Sequence, residues 1–184
     1  KEVNLSDTKM ISIASLKALA NSPVLNLSLA GVPLSKAHFQ VLSKSKHLAE
    51  LRFLAYPGCS KDIEGLLSID HPISLNISRS QHIDDDLIES ITRLPLVKLD
   101  LQKSNLTDKQ LIKLAKMKTL QVVQVQDCPN ISVFGEEGFH KYFKLMWKRN
   151  CKLEVRMNPS LEGFTEQLNP IEDYRINELS RPTK

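Results

Sequence analysis

The stretch His82-Ile-Asp-Asp-Asp86 combines the residue types most able to do chemistry in this sequence. One imidazole and three carboxylates offer the oxygen-rich ligand set that hard cations such as Ca²⁺ prefer. The same aspartates also suit the first turn of a helix, where free backbone N–H groups and the helix dipole favour negative charge. Because no spaced carboxylate partner and no loop glycine accompany the cluster, we favour the helix interpretation and predict no metal site.

Motifs typical of enzymes are absent from the sequence, which contains no P-loop, G-x-G-x-x-G, H-E-x-x-H or G-x-S-x-G pattern. The histidines are scattered through predicted helices and turns, so a nucleophile and a base cannot be placed within reach of one another. We therefore predict a non-catalytic protein that needs no cofactor. The five histidines are His38, His47, His71, His82 and His140.

The elements that position any functional side chain are most regular in residues 96–125. Leu99 and Leu101 alternate with polar residues, which is typical of a short strand with one buried face. Thr107 and Gln110 have the spacing of a capping box at a helix start. Apolar residues at helical spacing follow this box, namely Leu111, Leu114, Ala115 and Met117. The stretch predicts one strand, one turn and one short helix within 24 residues.

This unit recurs along the chain with a period of 24 residues. Twelve strand positions at this spacing are all large and apolar, in a chain that is 41% apolar overall. Such a period indicates stacked units that bury a shared core. The first strand series is Val3, Leu27, Leu51, Leu75, Leu99 and Val123. The second is Leu5, Leu29, Phe53, Ile77, Leu101 and Val125. The helices keep step at Phe39, Ile63, Leu87 and Leu111, and a seventh strand is expected at Leu153-Glu-Val155.

The pattern Leu96-x-x-Leu99-x-Leu101, followed by Leu106, resembles the leucine-rich repeat consensus L-x-x-L-x-L-x-x-N/C-x-L. This resemblance covers roughly residues 1–157. It implies an α/β solenoid shaped as a curved horseshoe, with about seven parallel strands on the concave face and short helices on the convex face. We expect units that start near residues 1, 24, 48, 72, 96, 120 and 150, and a C-terminal cap, tail or linker over 158–184.

The ninth consensus position departs from the pattern in several units. The family's Asn or Cys normally hydrogen-bonds the turn backbone, so we expect the turns that lack it to be satisfied in another way. The next apolar position is also missing in one unit, which predicts a distorted or bulged turn within residues 54–62. The ninth position is occupied by Val32, Tyr56, Ser80, Ser104 and Cys128.

Cysteines and glycosylation sequons bear on the compartment. Extracellular members of the family usually carry disulfide-stapled caps, whereas Cys59, Cys128 and Cys151 form no cluster at either end. We therefore predict free thiols and a reducing, cytoplasmic location. The alternative is a secreted glycoprotein, although glycans beside the strand leucines would crowd the sheet. The five sequons begin at Asn4, Asn26, Asn76, Asn105 and Asn130.

The net charge of +4 is mild, and both signs are interspersed along the chain. It implies neither a nucleic-acid nor a membrane partner. The longest apolar runs are too short to span a bilayer. The last unit has an aromatic helix, expected to close the core, whose other face is basic. That face is the basis of an alternative in which nucleic acid or anionic lipid binds Lys141, Lys144, Lys148, Arg149 and Lys152.

The outward strand positions are more informative about function. In a parallel stack, equivalent residues of successive units lie about 4.8 Å apart. The residues between the two buried strand series then form a polar column, which comprises Asn4, Ser28, Arg52, Asn76, Asp100, Gln124 and Glu154. Their side chains point away from the core, so we expect that the fold does not need them. We predict partner-binding residues at Arg52, Asn76, Asp100, Gln124, Glu50, Lys98, Arg79 and Gln102.

The resemblance implies a monomeric, non-catalytic module that binds another protein through its concave face. We expect a part of a larger intracellular protein, such as a bacterial host-directed effector that is secreted into a host cell cytosol. An alternative of a different class is the regulatory or substrate-recruiting region of an enzyme, for example a kinase or a ubiquitin-ligase component. Its catalytic part would then lie outside this sequence.

Overall fold

The computed structural model describes residues 1–56 and 60–131, which form an α/β structure with one open parallel sheet. The strands are β1 (Glu2–Asn4), β2 (Asn26–Ser28), β3 (Glu50–Arg52), β4 (Ile73–Asn76), β5 (Leu96–Asp100) and β6 (Val122–Gln124). The helices are α1 (Ile13–Ala20), α2 (Lys36–Leu42), α3 (Ser60–Ile63), α4 (Asp85–Thr92) and α5 (Asp108–Leu114). A 3₁₀ helix at Glu64–Ser68 directly follows α3.

The six strands lie side by side in chain order, and their pairing confirms the predicted register. Leu27 pairs with Leu51, Leu51 with Leu75, and Leu75 with Leu99, so each partner is 24 residues further along the chain. The register shifts once, between Ile73 and Ser74. The predicted strand at residues 153–155 and the boundary between residues 157 and 158 lie outside the described residues.

The core lies between the sheet and the helices, and it is continuous from one unit to the next. The repeating apolar positions of the strands and of the helices are buried in it, because equivalent positions of successive units stack in the same order. The strand positions are Leu27, Leu51, Leu75, Leu99 and Val123, and the helix positions are Phe39, Ile63, Leu87 and Leu111. Val3 and Leu5, at the first edge of the sheet, are only partly buried.

Two helix starts share a capping arrangement that also ties each helix to the preceding unit. In α5, the Thr107 N–H donates to Gln110 Oε1 (3.0 Å) and Gln110 Nε2 donates to the Ile83 carbonyl (3.2 Å), so the predicted capping box is confirmed. In α2, the Ser35 N–H donates to His38 Nδ1 (3.0 Å) and His38 Nε2 lies 3.2 Å from the Ile11 carbonyl. His38 therefore occupies the place that Gln110 takes three units later.

The ninth positions of the units hold their turns in different ways, as expected. The Ser80 hydroxyl donates to the Ile77 carbonyl (2.7 Å), whereas at Val32 the backbone N–H donates to the Leu29 carbonyl (3.1 Å). Tyr56 instead packs its ring in the core, with centroids 6.2 Å from Phe39 and 6.0 Å from Phe53. Residues 57–59 are not described, so the distorted turn expected there stays a prediction.

A left-handed residue follows every described strand, and the sequence analysis did not foresee it. Six residues at 24-residue spacing have φ between 55° and 71°: Asp7, Gly31, Ala55, Arg79, Lys103 and Asp127. In this conformation the Arg79 N–H donates to the Gln102 carbonyl (2.7 Å), so the backbone hydrogen bonds between neighbouring units continue beyond the end of the strand. A Cβ atom makes this conformation unfavourable by about 1–2 kcal/mol, and only Gly31 avoids this cost.

We expect Ala55→Gly to raise the free energy of unfolding by about 0.5–1 kcal/mol, because glycine relieves the left-handed strain but adds freedom to the unfolded chain. The matched control is Ala18→Gly, in the exposed interior of α1, which we expect to cost about 1 kcal/mol. Urea unfolding of both variants measures the difference. Equal losses of stability would contradict the assigned backbone conformation at residue 55.

Candidate functional site

The sheet face opposite the core carries the polar column that the sequence predicts. The strand register places consecutive members beside one another across all six described strands. These described members are Asn4, Ser28, Arg52, Asn76, Asp100 and Gln124, whereas Glu154 lies outside the described residues. We call this surface, together with the residues that flank the column on each strand, the polar face.

On the first three strands the polar face is organised by a charged cluster. Arg52 Nε donates to Glu50 Oε1 (2.9 Å) and its Nη2 donates to Glu50 Oε2 (3.0 Å), a two-pronged contact that fixes the guanidinium plane. Arg52 Nη1 also contacts Glu2 Oε1 at 3.2 Å. The hydrogen bond that Arg52 donates to Glu50 is the main cause of the raised pKa of Arg52. Two carboxylates therefore surround one cation here.

On the last three strands, amides and one carboxylate form a second network. Asn76 Nδ2 donates to Asp100 Oδ2 at 3.0 Å. Gln102 Nε2 lies 3.4 Å from both Asp100 Oδ2 and Gln124 Oε1. The contacts run from β4 across β5 to β6, so the structure brings four of the predicted partner-binding residues together. Such mutual hydrogen bonds restrict the side-chain rotamers that a partner would otherwise have to order.

Some column side chains also close the strand ends. Asn76 Oδ1 accepts from the Ser78 N–H (3.0 Å), and Asp100 Oδ1 accepts from the Gln102 N–H (3.1 Å). Asn4 Oδ1 makes the equivalent bond to the Ser6 N–H (2.9 Å). The expectation that the fold does not need the column is therefore wrong for these residues, because each satisfies a backbone donor where the strand ends.

Within the described residues, three further cations of the polar face lie on the fourth and fifth units. Lys98 is half-buried beside Asp100, and Arg79 and Lys103 are exposed in the left-handed positions after β4 and β5. None of these three side chains forms a salt bridge within residues 1–56 and 60–131. Sequence reasoning missed Lys103, although it follows the predicted binding residue Arg79 by one 24-residue period.

The acidic cluster at residues 82–86 lies at the start of α4, as the helix interpretation predicts, and Asp84 Oδ1 accepts from the Leu87 N–H (2.7 Å). Asp85 accepts from Gln110 Nε2 (3.2 Å) and pairs with Lys109 and Lys113 at 3.4 and 3.5 Å. The Gln110 hydrogen bond is the main cause of the lowered pKa of Asp85. Within the part of the chain that the structure describes, no group of three or more His, Cys, Asp or Glu residues is placed to hold a metal ion.

Two other reactive residue types have structural contacts. His71 Nε2 lies 2.8 Å from the Leu48 carbonyl, which ties it to the preceding unit. Cys128 is buried, its thiol donates to the Leu101 carbonyl (3.1 Å), and burial raises the pKa of the thiol. Cys59 and Cys151 lie outside the described residues, as do His140 and the basic residues 141–152. In the described chain, no helix has the length and apolar character needed to cross a membrane.

A groove of about 380 Å³ lies at the end of the sheet where the strands begin, among the loops that lead from the helices to the next strands. Leu67, Met117 and Lys118 contribute to its lining, and so does Arg93. Arg93 is already engaged by Glu64 at 2.8 Å. We place the candidate site on the polar face because ordered polar side chains converge there over several strands.

Comparison with known proteins adds no assignment to this geometry. No protein-family model matches the chain, and no curated protein matches it significantly. We therefore infer function from the arrangement of the polar face.

We expect Asp100→Leu to lower the free energy of unfolding by about 1–2 kcal/mol, because the Gln102 N–H loses its acceptor at a nearly buried position. Asp100→Asn keeps an acceptor for the Gln102 N–H but places an NH2 group opposite the Asn76 amide donor, so its cost should be smaller, about 0.5–1 kcal/mol. Leu99→Ala, one residue away in the core, should cost about 2–5 kcal/mol. Chemical denaturation of the three variants gives the ranking, and an equal cost for the Asn and Leu variants would contradict the strand-end role.

Proposed function

We propose that this chain is a leucine-rich repeat solenoid that binds a partner protein through its polar face and performs no catalysis. The observation that carries the proposal is the pair of ordered side-chain networks on one open sheet face. Arg52 with Glu50 and Glu2 forms one network, and Asn76 with Asp100 forms the centre of the other. Side chains that are already ordered lose less conformational entropy when a partner binds.

The shape of the face favours a macromolecular partner. Six strands spaced about 4.8 Å apart give a width of about 24 Å across the column. Small-molecule sites are usually concave pockets that enclose most of the ligand, and the column lies on an open sheet. A wide surface with rigid polar groups is better suited to the polar parts of a protein interface.

The charge pattern favours a protein over nucleic acid. Nucleic-acid binding depends on several cations that each neutralise a phosphate. On the part of the polar face that the structure describes, Arg52 is already neutralised by Glu50 and Glu2, and the other cations lie on the fourth and fifth units. A cytoplasmic location and membership in a larger effector remain predictions. The same holds for the alternative of a recruiting region attached to a catalytic domain.

The proposal predicts that substitutions on the polar face abolish capture of specific partners from cell extracts. Ser74 and Lys98 are paired neighbours on β4 and β5 and are not part of either network, so Ser74→Arg/Lys98→Glu changes the face without removing a strand-end bond. The charge-matched control is Gln40→Arg/Lys116→Glu, at exposed positions of α2 and the turn after α5. Bacterial and eukaryotic cytosol supply candidate partners, and mass spectrometry measures their retention.

We expect proteins that the wild type and the control retain to be depleted at least about tenfold by the face variant, which corresponds to a loss of about 1.4 kcal/mol in binding. Thermal unfolding must show that both variants remain folded. Equal retention by all three proteins would contradict recognition through the polar face.

A further inference from the structure

Arg79 and Lys103 are neighbours in space at a strained backbone position. Both have left-handed backbones, with φ of 63° and 56°, and both are exposed. The Arg79 N–H donates to the carbonyl of Gln102, the residue directly before Lys103, at 2.7 Å. The two backbones therefore run side by side at the strand spacing of about 4.8 Å, and two cationic side chains leave the same edge of the sheet.

The fold does not need these two cations. Gly31 and Ala55 occupy the same position in the second and third units, so neither a long side chain nor a charge is required there. A Cβ atom disfavours the left-handed conformation, and two like charges at neighbouring positions repel each other. Neither side chain forms a salt bridge or a hydrogen bond with another residue of the described chain. The left-handed backbone also serves the bonds between units at Asp7 and Ala55, so it is the two exposed charges, and not the strain, that the fold leaves unused.

The charges around this pair limit what can bind. Ala55 on one side is neutral, and Asp127 on the other side is the next residue in the left-handed series. Lys98 adds a third cation nearby on β5, whereas Asp100 is engaged by Asn76 and Gln102. Glu2 and Glu50 lie at the other end of the face and repel an anion there. Among the described residues, the positive surface is therefore short, with a neutral residue on one side and a carboxylate on the other.

We propose that Arg79 and Lys103 bind an acidic segment of the partner protein, which lies over the fourth and fifth units. This inference rests on the proposed function and specifies the chemistry of the partner. A guanidinium accepts a carboxylate in a two-pronged geometry, and an ammonium binds a second carboxylate as a compact charge. A nucleic acid or an anionic membrane would need a longer basic surface than the described residues provide, since Ala55 and Asp127 flank the pair.

The test uses an octaglutamate peptide as the probe and an octaglutamine peptide as its uncharged counterpart. Binding is followed by amide chemical shifts of the whole protein at low ionic strength. The test variant is Arg79→Gly/Lys103→Gly, and Ala55→Gly is the matched control, because it makes the same backbone change without removing a charge. Arg79→Asn/Lys103→Asn is a second test variant, since Asn tolerates the left-handed conformation better than most residues.

We expect octaglutamate to bind the wild type and Ala55→Gly, with shifts centred on residues 79 and 103, and octaglutamine to bind neither. Both double variants should weaken binding at least about fivefold, the combined effect expected for two exposed charge pairs. The urea midpoint of the double glycine variant should be equal to or above that of the wild type. A lower midpoint for both double variants would overturn the claim that the fold does not need these cations.

Unchanged binding by both double variants would overturn the proposal, and so would tighter binding of an eight-nucleotide oligothymidylate than of octaglutamate.

The experiments distinguish a failure of the acidic-segment proposal from a failure of the proposed function. If octaglutamate does not bind while Ser74→Arg/Lys98→Glu still loses its partners, recognition by the polar face stands and the acidic-segment assignment falls. If octaglutamate binds as expected while the face variant retains all partners, the cation site stands and recognition through the column falls.

Discussion

The structure depends on one constraint, the parallel backbone ladder that links each unit to the next. The N–H of Leu29 donates to the carbonyl of Arg52, and the N–H of Phe53 donates to the carbonyl of Asn76, so in both bonds the acceptor lies 23 residues after the donor. Because this offset recurs, every side chain stacks on its equivalent in the neighbouring unit. The same constraint that aligns the leucines of the core also aligns the polar residues of the opposite face. An insertion of one residue in a strand would exchange the two sets.

The ladder has to end somewhere in each unit, and the way it ends links the fold to the candidate site. A left-handed residue extends the inter-unit bonds beyond the strand, and an Asn or Asp side chain accepts from the backbone just before it. Asn76 and Asp100 therefore serve both the strand end and the polar network. Substitutions at these residues would alter stability and surface together. Side chains outside the networks, such as Ser74 and Lys98, can change the surface without removing a strand-end bond.

The features that could be predicted from the sequence are those that require a particular type of side chain. Leucines at 24-residue spacing predicted the register, and Thr107 with Gln110 predicted a helix start, because burial and capping each select a narrow set of side chains. The left-handed positions were missed because glycine, alanine, basic and acidic residues all occupy them. The equivalence of His38 and Gln110 was missed for the same reason, since an imidazole and an amide can make the same pair of hydrogen bonds. The column was predicted, but its strand-end bonds depend on backbone geometry, which side-chain periodicity does not report.

The two ends of the polar face differ in how their charges are used, and this difference bears on specificity. Around Arg52, the carboxylates of Glu50 and Glu2 already satisfy the cation, so a partner gains little by replacing contacts that exist in the free protein. Arg79 and Lys103 have no such contacts among the described residues, and an incoming carboxylate there replaces only water. Binding energy should therefore concentrate at the fourth and fifth units. The carboxylates of Glu2 and Glu50, on the first three strands, repel an anionic segment that binds in the wrong place. Attraction at one end and repulsion at the other would set the direction in which a partner lies across the strands.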